Sequence, residues 1–409
     1  MGALEGLLVL DLGRILAAPW AGQMLADLGA TVIKVEEPHK GAGERAFGVM
    51  VPGRDKASGF HCAVNRNKRS IAVDLSLEDG QEVVRQLALR ADVLIENFIP
   101  GVMQKFGLGY GALQKDNPRL VYCSVTGFGQ QGPYSRRPGY DAVFQAQSGM
   151  MAITGLPDGV AGAGPMKTGP SLVDVCAGYN AVIGILAALR HRDVHSGMGQ
   201  HIDIALLDTA LAMQTHVIAD YLITREQPRR RGNSGNGGHP ARVFDCADGE
   251  IYVSVGRDEH FHAFCRAIER SDLIHDTRFA TNSLRFAARA ELDAIIEPVL
   301  RMKPVREIEE RLTAARVPCS KVNVYADILA DPHVLQRDVE ITLPPLANGQ
   351  PSGRAIANPV RLSQTPPSYE RPAPDVGEHT SEVLIDVLGL EPTEVDRLFA
   401  SGAVQGLRK

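Results

Sequence analysis

The strongest constraint on the fold lies in the first third of the chain, where short, nearly continuous apolar runs alternate with segments of helical period. LLVLDL (7 to 12), TVIKVEE (31 to 37), SIAVDL (70 to 75), ADVLIENF (91 to 98) and RLVYCSVTGFG (119 to 129) carry the strand pattern. APWAGQMLADLGA and EDGQEVVRQLALRA, lying between them, carry the helical one. Strands apolar on both faces and separated by helices belong to a parallel sheet covered on both sides, so the expected fold is α/β, with a doubly wound, Rossmann-like large domain. In such sheets ligands lie beyond the carboxyl ends of the strands, where the connecting loops gather.

Past Gly155 the pattern gives way to the Gly/Pro-rich connector GLPDGVAGAGPMKTGPS. A helix is expected from about Val175 to Arg192 and a second over 204 to 223. TREQPRRRGNSGNGGHP then breaks all periodicity, and RVFDCADGEIYVSVG has the form of a hairpin. These breaks divide the chain into a large α/β domain over 1–224 with a linker from about 193, a small α+β domain over 225–325, and a return segment over 326–409. The stretch SQTPPSYERPAPDVGEHT (363 to 380) reads as an extended arm, followed by a helical tail.

With 409 residues, 44% of them hydrophobic, and a net charge of -5, the chain can bury a core and lacks the basic balance of a dedicated nucleic-acid binder. Its six cysteines are widely spaced with no CxxC pair, as in reduced cytosolic proteins. The N-terminus has no basic leader pattern, and no apolar run is judged to approach the roughly 18 residues of a membrane span. The expectation is a cytoplasmic protein with no membrane or nucleic-acid partner.

Among residues that could carry chemistry, Asp174 stands out, because it closes a Gly/Pro/Ser segment directly before a long apolar helix. It has two readings, a helix N-cap or a nucleophile held ionised by the helix amides and dipole. GNSGNGGHP (232 to 240) is either a linker or a shaped loop offering backbone donors, and the absence of a following Lys-Ser/Thr excludes a Walker A loop. Of the two basic clusters, NRNKRS (65 to 70) with Lys105 fits a phosphate-rich ligand better than RRR (229 to 231) with Arg225. His260 and His262 are two residues apart on a helix and face different sides, so with Cys265 they form no metal site, and none is expected elsewhere. Tyr140 and Asp141 sit at the start of another expected helix, where Asp is favoured and Tyr commonly packs half-buried.

Taken together, LVLDLGRILAAPWAGQMLADLGATVIKVE, NRNKRSIAVDL, ADVLIENFIPG, GYDAVFQAQSG and LVDVCAGYNAVIGILAALRHRDVHSGMGQHIDIALLD resemble the family III CoA-transferases. That group includes formyl-CoA, carnitine and dicarboxylate CoA-transferases. The resemblance implies that Asp174 is the nucleophile. Its carboxylate would attack the donor thioester to give an acyl anhydride and CoA thiolate, and the thiolate would then form an aspartyl-CoA thioester that the acceptor acid reverses. It also implies a CoA site at Leu16, Ala17, Val73, Asp74, Leu75, Ser76, Asn97, Phe98, Ile99, Lys105, Arg137 and Tyr140. Coenzyme A is here a substrate and no tightly bound cofactor is implied.

The loop from Gly235 to His239, with Gly237 and Gly238, matches the one that covers the intermediate in formyl-CoA transferases, with Asn236 in place of a glycine and His239 in place of a glutamine. Leu16 stands for a glutamine and Glu37 for an arginine of those enzymes, which turns the expectation from oxalate and formate toward succinyl-CoA as donor and itaconate, mesaconate or glutarate as acceptor. Lys105 replaces an arginine, keeping the charge without the bidentate fork. The α-methylacyl-CoA racemases share the fold but keep a histidine where this chain has Tyr140. A non-catalytic CoA-binding protein is the remaining alternative. An interlaced homodimer is also implied by the resemblance.

Overall fold

The apolar runs form the expected strands because each is flanked by helices that remove both of its faces from water. In the computed structural model, which describes residues 2–235 and 237–406, these are β1 (Leu8–Asp11), β2 (Thr31–Glu36), β3 (Lys68–Val73), β4 (Val93–Glu96) and β5 (Val121–Thr126). β6 (His201–Ala205) continues the sheet. A hairpin, β7 (Ala241–Asp245) and β8 (Glu250–Ser254), takes β9 (Cys319–Lys321) as its third strand. β10 (Glu340–Thr342) and β11 (Arg354–Ile356) form an antiparallel pair, and β12 (Val404–Gln405) closes the list.

The described residues make a seven-stranded sheet of order β12-β3-β2-β1-β4-β5-β6, parallel throughout except for the β12–β3 pair. Successive strands run outward from β1 in one direction to β3 and in the other from β4, so the order reverses between β1 and β4. That reversal opens a crevice at the carboxyl edge, the place where doubly wound sheets receive ligands.

One face of the sheet is covered by the helices Ala17–Asp27 and Leu172–His191, whose Ala21, Leu25, Ala177, Ala181 and Ile185 are buried with Val9, Ile95 and Val125. The two helices touch closely at Gly178, where an added Cβ would lie 2.8 Å from the Ala17 carbonyl oxygen. Trp20 and Tyr179 meet edge to face beside that contact, with ring centroids 6.0 Å apart. The other face packs Leu10, Ile33, Ile71 and Leu94 against the helix Glu78–Arg90 and the tail helices Thr380–Asp386 and Pro392–Ala400. Each fully buried aliphatic side chain here contributes roughly 1.5–3 kcal/mol.

Three sequence expectations need correction. The span 204 to 223 is not one helix: its start belongs to strand β6, and two helices follow, Leu206–Ala212 and Thr215–Thr224. HIDIA alternates polar and apolar residues as a half-exposed edge strand does, and His201 is fixed to β5 by Ser124 Oγ at 3.0 Å and stacks on Tyr110 at the start of the helix Tyr110–Asp116. Leu172–Ser196 is in fact long and apolar enough to cross a membrane by length and composition, contrary to the expectation of no such run. It is the helix that supplies Val173, Ala177, Ile185 and Leu189 to the core just described, and its continuation past His191 is a π-turn at Arg192–Ser196. The third correction concerns the basic run at 65–70, which turns inward. Arg66 forks onto Asp27 at 2.6 and 3.0 Å, Lys68 reaches Asp11 at 2.7 Å, and Arg69 pairs with Glu382 at 3.4 Å. Cations already neutralised by carboxylates are not a phosphate cradle.

Two compact units emerge from the contacts. One comprises Met1–Met150, Lys167–Glu226 and Arg337–Lys409, and the other comprises Met151–Met166 and Gln227–Gln336. Set beside the expected small domain of 225–325, the second unit runs further and takes in part of the Gly/Pro-rich connector. Arg230 ties that connector to the rest of its unit through Asp158 and the Leu156 carbonyl. Its core is built from the hairpin and the helices Asp258–Ala267, Arg289–Arg301 and Val305–Ala314, with Phe261, Phe264 and Cys265 buried among them.

Candidate active site

A cavity of about 270 Å³ opens at the crevice between β1 and β4, and all of its lining residues belong to the first unit. Arg14, Leu16 and Ala17 reach it from the β1 loop, and Asn97, Phe98 and Ile99 from the β4 loop. Thr126 comes from the end of β5, Arg137 and Tyr140 from the segment that follows, and Asp174 from the start of the Leu172–His191 helix. The structure therefore gathers eight of the expected residues around one space: Leu16, Ala17, Asn97, Phe98, Ile99, Arg137, Tyr140 and Asp174.

The other expected residues lie elsewhere. Val73 ends β3 and Asp74, Leu75 and Ser76 follow it, two strands away from β1 on the same carboxyl edge, where Ser76 is bonded to Asp74 through both its amide and its hydroxyl. Lys105 ends the short helix Val102–Lys105 and is exposed. Gly237, Gly238 and His239 belong to the second unit. His239 is only 3% exposed, its Nε2 lies 2.9 Å from Asp293 Oδ1, and its amide and carbonyl are held by Asn282 and Arg285. Asn282 also donates to the Gly237 carbonyl, so the latter part of this loop is pinned to its own unit. Asn236 lies outside the described residues.

Asp174 is not the cap of its helix. Ser171 occupies the N-cap position, Asp174 is the third helical residue, and the capping acceptor comes from a distant segment: Asp141 Oδ2 receives the amides of Val173 at 2.8 Å and Asp174 at 3.1 Å. Asp141 is buried and is itself held by Gln145, whose other amide atom accepts from Thr168. The helix therefore spends its free amides on Asp141, and the Asp174 carboxylate accepts no hydrogen bond among the described residues.

Half-buried and next to a second anion, Asp174 is pushed up to about 7, first by burial and then by the Asp141 charge. This reverses the expectation that the helix terminus holds it ionised. A carboxylate of that basicity is a stronger nucleophile when ionised, and it is about half ionised at neutral pH.

The loop that carries Arg14 to Ala17 is fixed from several sides. Asp11 Oδ1 accepts from the Gly13 amide at 2.7 Å, Lys34 Nζ donates to the Gly13 carbonyl at 2.9 Å, and Glu44 Oε2 accepts from the Ile15 amide at 2.9 Å. Asn97 clasps the backbone of Arg14, accepting from its amide at 2.9 Å and donating to its carbonyl at 2.7 Å. Ile15 is held at φ 67°, a left-handed conformation that a β-branched residue rarely adopts and that persists only where the surroundings over-determine it. The anchors are fully buried ion pairs, Lys34 with Glu44 at 2.9 Å and Lys68 with Asp11 at 2.7 Å. Lys68 also donates to the Pro19 carbonyl and to Asn65.

Arg14 and Thr126 in the cavity wall, and Asp141 beside it, were missed from the sequence. Asp141 looked like an ordinary first-turn acid, because the amides it caps lie more than thirty residues away. Thr126 looked like the end of a strand, yet its buried hydroxyl has no hydrogen-bond partner among the described residues.

Residues 4–380 match the CoA-transferase family III. The chain is 41% identical over 394 residues to succinate–glutarate CoA-transferase of Agrobacterium fabrum, covering 95% of this chain and 97% of that protein. It is 36% identical to the human succinyl-CoA:glutarate CoA-transferase, covering 98% and 90% respectively. The crystal structure of a CAIB/BAIF family protein from Brucella suis superposes with a TM-score of 0.85 at 37% identity, covering 94% of this chain and 99% of the other. The chain belongs to CoA-transferase family III and is a CoA-transferase.

Proposed function

We propose that this enzyme moves CoA from succinyl-CoA to a small dicarboxylic acid, with glutarate foremost and itaconate or mesaconate as further acceptors, through a thioester on Asp174. The observation that carries the reading is the setting of Asp174: a basic, unbonded carboxylate in a crevice at the switch point of the sheet, with Arg14 and Arg137 lining the same space. Two relatives named for glutarate support that choice of acceptor.

Ionised Asp174 attacks the succinyl-CoA carbonyl, the C–S bond breaks, and CoA leaves as thiolate. The thiolate attacks the Asp174 carbonyl of the mixed anhydride, releasing succinate and leaving the aspartyl-CoA thioester. Glutarate attacks that thioester through one carboxylate, expelling the thiolate again. The thiolate then takes the glutaryl carbonyl, and Asp174 leaves as carboxylate. Each step passes one activated acyl bond to the next, so exclusion of water is the main demand on the site. Gly237, Gly238 and His239 remain candidates for that cover. Arg137, Lys105 and the backbone at Leu16 and Ala17 are candidate contacts for the CoA moiety, together with Val73 to Ser76. Tyr140, 66% exposed and with its hydroxyl unbonded among the described residues, is proposed to contact the substrate.

The direct test is to incubate the protein with succinyl-CoA, trap with hydroxylamine or borohydride, and map the modified peptide by mass spectrometry across a pH series. Modification is expected at Asp174 alone, with an initial trapping rate that rises through a midpoint near pH 7, because only the ionised form attacks. Glu96, buried at the end of β4, is also pushed up to about 7, by burial first. An Asp141→Asn variant keeps the capping oxygen but removes the neighbouring charge, and should move the midpoint to lower pH. Label at another residue would sink the aspartyl route, and an unmoved midpoint would sink the assignment of part of the shift to Asp141.

We further propose a homodimer in a reducing compartment, the cytoplasm. In the helix Thr215–Thr224 no residue is buried, and Tyr221, Leu222 and Ile223 lie open to solvent, the last at 81%. A second copy covering them accounts for this exposure. All six cysteines are free thiols. Sedimentation velocity should show a dimer for the native chain and a monomer for Ile223→Asp, whereas a native monomer would refute the dimer.

A further inference from the structure

The cavity around Asp174 is lined by a cation that has no ion-pair partner among the described residues. The Arg14 guanidinium lies over the Phe98 ring, 4.3 Å from its centroid, and makes no hydrogen bond or ion pair with any described residue. Its two nearest anions are already engaged: Glu44 is bound to Lys34 and to the Ile15 amide, and Glu37 pairs with Lys40. Partial desolvation lowers its pKa against the pull of Glu37 and Glu44, yet an arginine stays charged under all ordinary conditions. An unpaired guanidinium beside a cavity, stacked on an aromatic ring, is the arrangement that receives a carboxylate through two parallel hydrogen bonds.

We infer that Arg14 is the specificity-determining residue that reads the distal carboxylate of the dicarboxyl group while the proximal one reacts at Asp174. This rests on the transfer reaction proposed above and adds the residue that selects its substrates. Arg137 also lines the cavity and is likewise unpaired, lying over Tyr134 with 3.7 Å to the ring centroid. Both lie outside regular structure, and the two differ in how many groups hold them. Asn97 clasps the Arg14 backbone on both sides and Glu44 pins the next residue, whereas the Arg137 backbone is tied, among the described residues, through its amide to the Tyr134 carbonyl of its own turn. Discrimination between chemical groups requires a reader on a rigid mount, which favours Arg14. Anions on the CoA phosphates have the same chemistry, so the test must separate the two sources.

Binding of glutaryl-CoA and valeryl-CoA, which differ in a terminal carboxylate against a methyl, would be measured by calorimetry on the full chain carrying Asp174→Asn, with and without Arg14→Gln. Turnover of the native chain and of Arg14→Gln with glutarate and valerate as acceptors would be measured in parallel. Arg14→Gln is expected to weaken glutaryl-CoA by about 10- to 100-fold and to raise KM for glutarate similarly, leaving valeryl-CoA and valerate within about 3-fold. Arg14→Lys should recover part of the glutaryl preference, and an unchanged melting temperature would show that the loop remains intact.

Equal weakening of both thioesters would assign Arg14 to a CoA phosphate and overturn the inference. No weakening of either would overturn it as well. A native chain that binds glutaryl-CoA selectively through Arg14 but exchanges no CoA would instead refute the transfer reaction and leave the reader standing.

Discussion

Asp174→Asn should abolish CoA exchange, by a factor of about 10⁴ or more, because the amide removes the protein nucleophile that opens the route and leaves binding to act alone. The same change should make the protein more stable at pH 8. The Asp174 carboxyl titrates near 7 in the fold and near 4 in the unfolded chain, so its ionised form is disfavoured by folding. The resulting destabilisation is fully present above pH 7 and fades as the pH falls toward 4. A neutral isostere escapes it, and the expected gain at pH 8 is about 1–2 kcal/mol after allowance for partial solvation and relaxation. Thermal melts of both proteins at pH 8 and pH 5 would show the difference shrinking at the lower pH. A variant that still exchanges CoA would remove Asp174 from the mechanism, and one less stable than the parent at pH 8 would contradict the electrostatic account.

Lys68→Met is expected to cost about 3–5 kcal/mol, since it strands Asp11 in a fully buried position where, among the described residues, the Gly13 amide alone stays hydrogen-bonded to its carboxylate. Pairing it with Asp11→Asn should recover a large part of that loss, because the penalty arises from the uncompensated charge and not from the absence of the pair. Denaturant titration of the two variants decides the point. A loss below about 1 kcal/mol would mean that water reaches Asp11. Because the same cluster fixes the loop from Gly13 to Ala17, any folded Lys68→Met protein should also bind CoA esters less tightly.

The parallel sheet was legible because its strands are apolar on both faces, a pattern few other structures produce. β6 was not, since HIDIA exposes alternate residues and runs directly into a strong helical pattern. The break in the following helix at Met213 and Gln214 was also hidden, because both residues suit a helix and Gln214 is diverted to the Ser148 carbonyl. The position of Asp174 was readable, but its ionisation was not. Whether a carboxylate at a helix start is capped depends on which groups take the amides, and here the competitor is Asp141, brought in by the tertiary fold. Arg14 escaped notice for a similar reason: a lone cation in a turn normally faces solvent, and only the juxtaposition of the β1 and β4 loops shows it over Phe98 at a cavity wall. The basic run at 65–70 failed in the opposite way, since a dense cluster of cations attracted a ligand reading while the fold supplied internal carboxylates for it.

The sheet is completed by a strand that arrives late in synthesis. β3, at Lys68–Val73, has an open edge until the tail is made: His379 takes the Ser70 amide and carbonyl, Thr380 takes the Ala72 amide, and Val404 and Gln405 then lie antiparallel against Val73 and Ala72. Everything between, including the whole second unit, is translated while that edge stays open. An open strand edge is a template for pairing with a neighbouring chain. The nascent chain therefore carries this template until residues His379 and Thr380 have been made, and the edge is sealed from its own tail rather than from a neighbouring element.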